Sequence, residues 1–109
     1  MKLRYTPEAI ADLREISAYI KTELHNPKAA SRISKSVLDT CADLKRYPEM
    51  GVSIEATTGF TTDLRMLICD NYIALYRMDE DVISVARIIH AKQDYMRVLF
   101  GELTDPGAQ

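Results

Sequence analysis

Residues 63–90 constrain this chain more than any other stretch. They hold three runs rich in β-branched, aromatic and aliphatic residues: Leu-Arg-Met-Leu-Ile-Cys, then Tyr-Ile-Ala-Leu-Tyr-Arg-Met, then Val-Ile-Ser-Val-Ala-Arg-Ile-Ile-His. Two short polar breaks, Asp70-Asn71 and Asp79-Glu80-Asp81, separate them. Asp and Asn tolerate the positive φ that tight hairpins need, so the pattern predicts a three-stranded antiparallel meander. A two-residue turn at Asp70-Asn71 sets the register, pairing Cys69 with Tyr72, Leu67 with Ala74 and Arg65 with Tyr76. Leu64, Met66, Ile68, Ile73 and Leu75 then share one face, and that apolar face requires a cover. Arg65 falls on the other face beside Tyr76, as part of a site or as a solvated sheet residue.

The cover is encoded upstream. Lys2-Leu3-Arg4-Tyr5 alternates as a short strand that adds to one side of the meander. Thr6-Pro7-Glu8 then gives a helix start: a capping hydroxyl, proline at the first helical position and an acid in the first turn. Ile10, Leu13, Ile16, Ile20 and Leu24 recur at helical spacing as one buried stripe. Asn26-Pro27 repeats the start signal, with His25 in the turn. A second helix runs over residues 27–46 with Ala30, Ile33, Val37, Cys41 and Leu44 as its stripe. Tyr47-Pro48 ends it, because a residue before proline is pushed out of helical space. The expected fold class is therefore α+β: a short N-terminal strand, a two-helix antiparallel hairpin, the meander and a short C-terminal helix.

Residues 49–62 have two glycines and no sustained periodicity, and a connection of this length is usually functional or mobile. Within it, residues 51–54 are suited to brief pairing at a sheet edge. Tyr95, Met96, Leu99 and Phe100 predict the closing helix, with Gly101 as its stop. One domain over residues 1–101 and a flexible tail over residues 102–109 complete the expected organisation.

Composition excludes several functions. A chain of 109 residues makes one core without staples. Its 14 basic and 16 acidic residues give a net charge of −2, a poor field for nucleic acid. The charge is nonetheless uneven: Lys28, Arg32, Lys35, Lys45 and Arg46 face only Asp39 and Asp43 along the second helix. Cys41 and Cys69 lie in apolar contexts and there is no leader pattern, so both are expected as buried thiols in the cytoplasm. Two Cys and two His at unrelated spacings predict no metal, and nothing suggests a cofactor. No apolar run is long enough for a membrane span.

Several strings in order resemble the RelE/ParE superfamily of toxins from bacterial type II toxin–antitoxin modules. They are Tyr5-Thr6-Pro7-Glu8-Ala9 with Asp12-Leu13; Leu44 with Tyr47-Pro48 and Gly51; Leu64-Arg65 with Tyr72 and Tyr76; and Arg87-Ile88-Ile89-His90 with Asp94-Tyr95. The resemblance covers residues 3–100. It implies a cytoplasmic growth inhibitor neutralised by a cognate antitoxin protein, with one of two targets. ParE-like members poison DNA gyrase. RelE-like members are metal-independent endoribonucleases that cut mRNA on the ribosome, which requires a base for the 2′-hydroxyl, cations for the phosphate and an acid for the leaving oxygen.

The ParE-like branch is favoured on three grounds. Arg65 stands seven residues before Tyr72 in a string that resembles that branch almost position by position. Residues 55–63 lack lysine and arginine, and the net charge suits a protein target. Gln93, where His-containing members of this branch commonly carry arginine, is a departure that bears on the Gln93-Asp94 pair. Under the ribonuclease alternative the catalytic set is Arg65, Arg87, His90 and Tyr95, converging at one edge of the sheet; His90 is a titratable acid or base near neutrality. The alternative to that convergence is structural: His90 ends its strand and bonds Asp94, and Arg87 pairs with Asp79, Glu80 or Asp81. Residues expected to touch the target or the antitoxin are Arg32, Lys35, Arg65, Tyr76, His90, Gln93 and Asp94. A structural partner without toxic activity is the third class.

Overall fold

The computed structural model describes residues 1–90. The expected C-terminal helix, its stop at Gly101, the tail over residues 102–109, and the candidates Gln93, Asp94 and Tyr95 lie outside the described residues. Strand β1 (Lys2–Tyr5) leads into helix α1 (Pro7–Thr22), followed by α2 (Pro27–Ala42). A two-residue strand β2 (Val52–Ser53), a five-residue helix α3 (Ile54–Thr58) and strands β3 (Arg65–Cys69), β4 (Tyr72–Asp79) and β5 (Val82–His90) complete the order.

Both long helices start as their sequences dictate. Thr6 Oγ1 accepts the Ala9 N–H at 3.1 Å and Asn26 Oδ1 accepts the Ala29 N–H at 3.0 Å, each just ahead of a proline that has no N–H to satisfy. Helix α2 ends at Ala42 rather than Arg46, because the chain tightens there into a 3₁₀ turn over Asp43–Lys45. Residues 49–62, read above as irregular, contain α3. Ser53 caps it through a bond from Ala56 N–H, and Gly59 at φ 84° ends it in a conformation that costs glycine least.

The sheet has the order β1-β5-β4-β3-β2. The meander register is the one read from the Asp70-Asn71 turn: Arg65 opposite Tyr76, Leu67 opposite Ala74 and Cys69 opposite Tyr72. Asp70 and Glu80, first in their two turns, carry the positive φ values of 57° and 52°. β1 pairs parallel to β5, and β2 pairs with Met66 and Arg65 at the opposite edge. A bulge between β4 and β5 leaves Ala86 as the extra residue, between the Leu75–Arg87 and Tyr76–Val85 pairs.

The helices cover the face opposite to the one expected. Val37, Cys41 and Leu44 of the helical layer pack on Leu67, Cys69, Ala74, Tyr76, Ile83, Val85 and Ile88. The set that contains Leu64, Ile73 and Leu75 is a second buried cluster, joined by Ile54 of α3, Ala86 and Ile89. Both faces are apolar, so alternation defines two sets without saying which one the helices take. Ile68, on the second face, remains 63% exposed. The α1 stripe is also shorter than read. Ile10 and Leu24 are exposed, and Leu24 lies beyond the last helical residue.

Candidate functional site

Arg65 opens β3, and the loop leading into β2 folds back over it. Its Nη2 donates to Gly51 O at 2.6 Å and to Glu49 O at 3.2 Å, while Nε is buried with no hydrogen-bond partner. Tyr76, directly opposite on β4, is fully buried; its hydroxyl donates to Pro48 O at 2.8 Å and accepts from Gly51 N–H at 3.1 Å. Gly51 is required there. A Cβ would lie 2.7 Å from Tyr76 Cε1 and Oη and 2.8 Å from Met66 O. Arg65 and Tyr76 together clamp residues 48–51. Neither is a solvated sheet residue.

The clamped backbone presents a surface groove of about 470 Å³ lined by Arg46, Tyr47, Pro48, Glu49 and Met50. Tyr47 and Met50 are exposed, giving the groove apolar walls beside one guanidinium. It is thus the backbone wall of this groove, and not its side chains, that the two β-strand residues fix.

Arg87 and His90 are held elsewhere. Arg87 is paired not with the acidic turn after β4 but with Asp12 of α1, through Nε at 2.8 Å and Nη2 at 3.1 Å. The cause lies at the sheet edge. β1 ends at Tyr5, so β5 has no strand neighbour beyond Val85 on that side. α1 supplies the missing partners: Thr6 Oγ1 donates to Ala86 O, and Asp12 Oδ2 accepts the Ile88 N–H at 2.8 Å. With its carboxylate already oriented by a backbone N–H, Asp12 takes the Arg87 fork bidentately. His90 sits opposite Tyr72, with ring centroids 5.5 Å apart in an edge-to-face arrangement. Burial and the neighbouring Tyr19 hold the Tyr72 hydroxyl above its ordinary pKa.

The expected convergence of Arg65, Arg87 and His90 does not occur. His90 aligns across Tyr72 with Cys69, four positions along β3 from Arg65. At about 3.3 Å per residue and about 4.8 Å per strand, their Cα atoms are roughly 16 Å apart. Arg65 reaches the loop before β2, and Arg87 reaches α1. The basic pair on α2 is exposed, and Lys35 donates to Asp39 one turn on at 2.7 Å, which raises its pKa. Asp12 was the functional-looking carboxylate that periodicity passed over. It stands next to Leu13, on the border of the buried stripe, and that position and its place in the Asp12-Leu13 string of the resemblance were its signals.

Comparison with known proteins adds the family. Residues 3–95 match the model of the ParE toxin of the type II toxin–antitoxin system parDE. The chain belongs to the ParE toxin family. The fold of this toxin also resembles a chain of the chromosomal ParDE system of P. aeruginosa, with a TM-score of 0.72 at 21% identity, over 84% of this chain and 97% of that one. A chain of the RelBE2 toxin–antitoxin complex of Mycobacterium tuberculosis is similar in fold, with a TM-score of 0.59 at 21% identity, over 82% and 95% of the two chains. No curated protein matches the sequence. The order strand, two helices, then sheet, read from the chain alone, is thus the order of a RelE/ParE superfamily toxin.

Proposed function

We infer that this ParE-family toxin inhibits growth by acting on DNA gyrase and is neutralised by a cognate antitoxin in the cytoplasm. The observation that carries the choice of target is the dispersal of Arg65, Arg87 and His90. Metal-free RNA cleavage needs a base, cations and an acid around one phosphate. Here one arginine is bonded to backbone carbonyls, the other is bidentate to Asp12, and the histidine stands some four residues along the sheet from the first. A protein target needs no such convergence, and the exposed groove at residues 46–50 offers a contact surface of the right chemistry: an aromatic ring, a thioether and a guanidinium.

Induction in growing cells tests the target. Filamentation and a DNA-damage response with continuing protein synthesis are expected, and purified toxin should inhibit supercoiling by gyrase. Prompt arrest of translation with transcripts cut at ribosome-bound codons would instead assign the ribosome and mRNA as target and Arg65, Arg87, His90 and Tyr95 as the catalytic candidates. An unchanged growth rate would leave a structural partner without toxic activity.

For the antitoxin, the outer side of the helical hairpin is the favoured surface. Tyr19, Leu24 and Leu38 are exposed there, and Arg32 and Lys35 would steer an acidic segment. The sheet face on the side of Tyr76 is less suited to a partner, because the helices pack on it. A segment that orders on contact with the hairpin would bury those apolar side chains.

A further inference from the structure

We propose that Arg4, Ser84 and Arg77 form a binding site for one doubly charged phosphate group, on the sheet face turned away from the helices. The site follows from the register. Arg4 of β1 is paired with Ser84 of β5, and Ser84 with Arg77 of β4, so the three make a row across neighbouring strands. Directly paired residues carry their side chains on one side of a sheet, and their neighbours in the chain carry theirs on the other. Those neighbours, Leu3, Ile83 and Met78, pack into the cluster beneath the helices, so the row faces the opposite way. Two strand spacings of about 4.8 Å separate the arginine Cα atoms, with the serine midway. An arginine side chain is longer than one such spacing, so both guanidiniums can meet above the Ser84 hydroxyl.

The donors in this row are uncommitted. The Arg4 side chain is exposed and, among the described residues, has no hydrogen bond or ion pair. The half-buried Ser84 hydroxyl has none either. Arg77 uses only its Nε, which lies 3.2 Å from both carboxylate oxygens of Asp63, and its two Nη groups remain. A lone arginine or serine on an exposed sheet face is an ordinary solvated residue. Here a hydroxyl interrupts an otherwise apolar run, Val82-Ile83 before it and Val85-Ala86 after it, at the one position flanked by a guanidinium on each side.

The charge around the row selects the ligand. Lys2, two residues before Arg4 on β1, adds a third cation on this side. Asp63, bonded to Arg77, and Asp79, two residues after Arg77, are acids beside it. That mixture gives a weak field for a polyanion such as a nucleic-acid backbone, whereas one compact anion can meet the cations and avoid the acids. A carboxylate has two oxygens and is filled by a single guanidinium fork. A phosphate ending in three oxygens can take Arg4, the Arg77 Nη pair and the Ser84 hydroxyl together. Bound there, it would join β1, β5 and β4 and fasten the edge strand to the sheet. The site shares no residue with the groove at residues 46–50 or with the helical hairpin, so it depends on neither the gyrase nor the antitoxin reading.

The test titrates the full chain with inorganic phosphate, AMP, adenosine and a DNA duplex without terminal phosphates, read by amide NMR. Inorganic phosphate and AMP should each shift the Arg4, Ser84 and Arg77 amides together. At ten times the dissociation constant the melting temperature should rise by roughly 5–10 °C. Equal affinities would assign the ion itself, and tighter binding of AMP a phosphorylated small molecule; both support the site. Arg4→Gln, which breaks no side-chain bond of the fold, should weaken binding about five- to tenfold. Arg77→Lys, which keeps the charge and loses the fork, should weaken it by a similar factor. Arg14→Gln, at an exposed position on α1, should leave it unchanged. Phosphate binding that survives both Arg4→Gln and Arg77→Lys would overturn the proposal. So would shifts centred on Lys28, Arg32 and Lys35, the same shifts from adenosine, or tighter binding of the duplex at these three residues.

Discussion

Tyr76→Phe isolates the clamp, because the ring stays and only the hydroxyl goes. That hydroxyl bonds Gly51 N–H at 3.1 Å and Pro48 O at 2.8 Å, and Tyr76 has no exposed surface. Each bond contributes about 1 kcal/mol net, and the buried Gly51 N–H, left without an acceptor, adds a desolvation cost of similar size. Pro48 O lies nearer the surface and can turn to water, so its loss is the smaller share. The sum is about 2–3 kcal/mol, or roughly 10–20 °C in melting temperature for a domain of this size. Urea unfolding followed by circular dichroism measures it, and the dependence on urea should not change, since little surface is newly exposed. Gly51→Ala provides the cross-check. Its Cβ would press on a buried ring and on the Met66 carbonyl of β3, neither of which can retreat, at a cost of about 1–3 kcal/mol. Removing the hydroxyl relieves one of those contacts, so the double variant should lose less than the sum of the two. A loss below about 0.5 kcal/mol for Tyr76→Phe would show that the hydroxyl does not hold the loop.

Asp12→Ala should destabilise by about 2–3 kcal/mol, since it leaves both the Arg87 guanidinium and the Ile88 N–H without their acceptor. Asp12→Asn, which keeps an oxygen for Ile88, should lose visibly less in the same denaturation assay. Burial and Cys41 hold Tyr5 above its ordinary pKa of 10.0. The unfolded chain therefore gives up that proton first, binds fewer protons above pH 10, and stability falls as pH rises further. Tyr5→Phe should flatten this alkaline slope by up to about 1.4 kcal/mol per pH unit in a pH series of unfolding curves. Reversing Arg32 and Lys35 to Glu should slow antitoxin association at low salt and not at high salt, with the melting temperature of the free toxin changed little; stopped-flow mixing reads the rate.

The meander was legible because turn chemistry and strand period agree on one register, and the Arg65–Tyr76 pair followed from it. Which face the helices would take was not legible. Leu67, Cys69 and Tyr76 compete with Leu64, Ile73 and Leu75 on equal terms until α3 and its Ile54 are placed on the second set. Helix α3 itself left a trace, Ser53 ahead of it and Gly59 behind, but five residues give no period to detect. Arg65 was placed beside Tyr76, but its bonding partners were not foreseen. Its partners are the carbonyls of Glu49 and Gly51, and backbone acceptors leave no mark in a sequence. The Asp12–Arg87 pair spans 75 positions, beyond any local rule, whereas the acidic turn beside Arg87 offered a nearer and mistaken partner.

The parallel pairing of β1 with β5 has a consequence for how the toxin comes into being. The first strand, residues 2–5, waits for residues 82–85 before it has any neighbour in the sheet. Contacts so distant in sequence are formed late and slowly, and a domain cannot complete on the ribosome before its last central strand has been made. Until then the helical hairpin has no finished sheet beneath it, and Asp12 has neither Arg87 nor Ile88 to bind. Synthesis of a growth inhibitor built in this order yields nothing harmful for most of its length, and a neutralising partner has that interval in which to arrive.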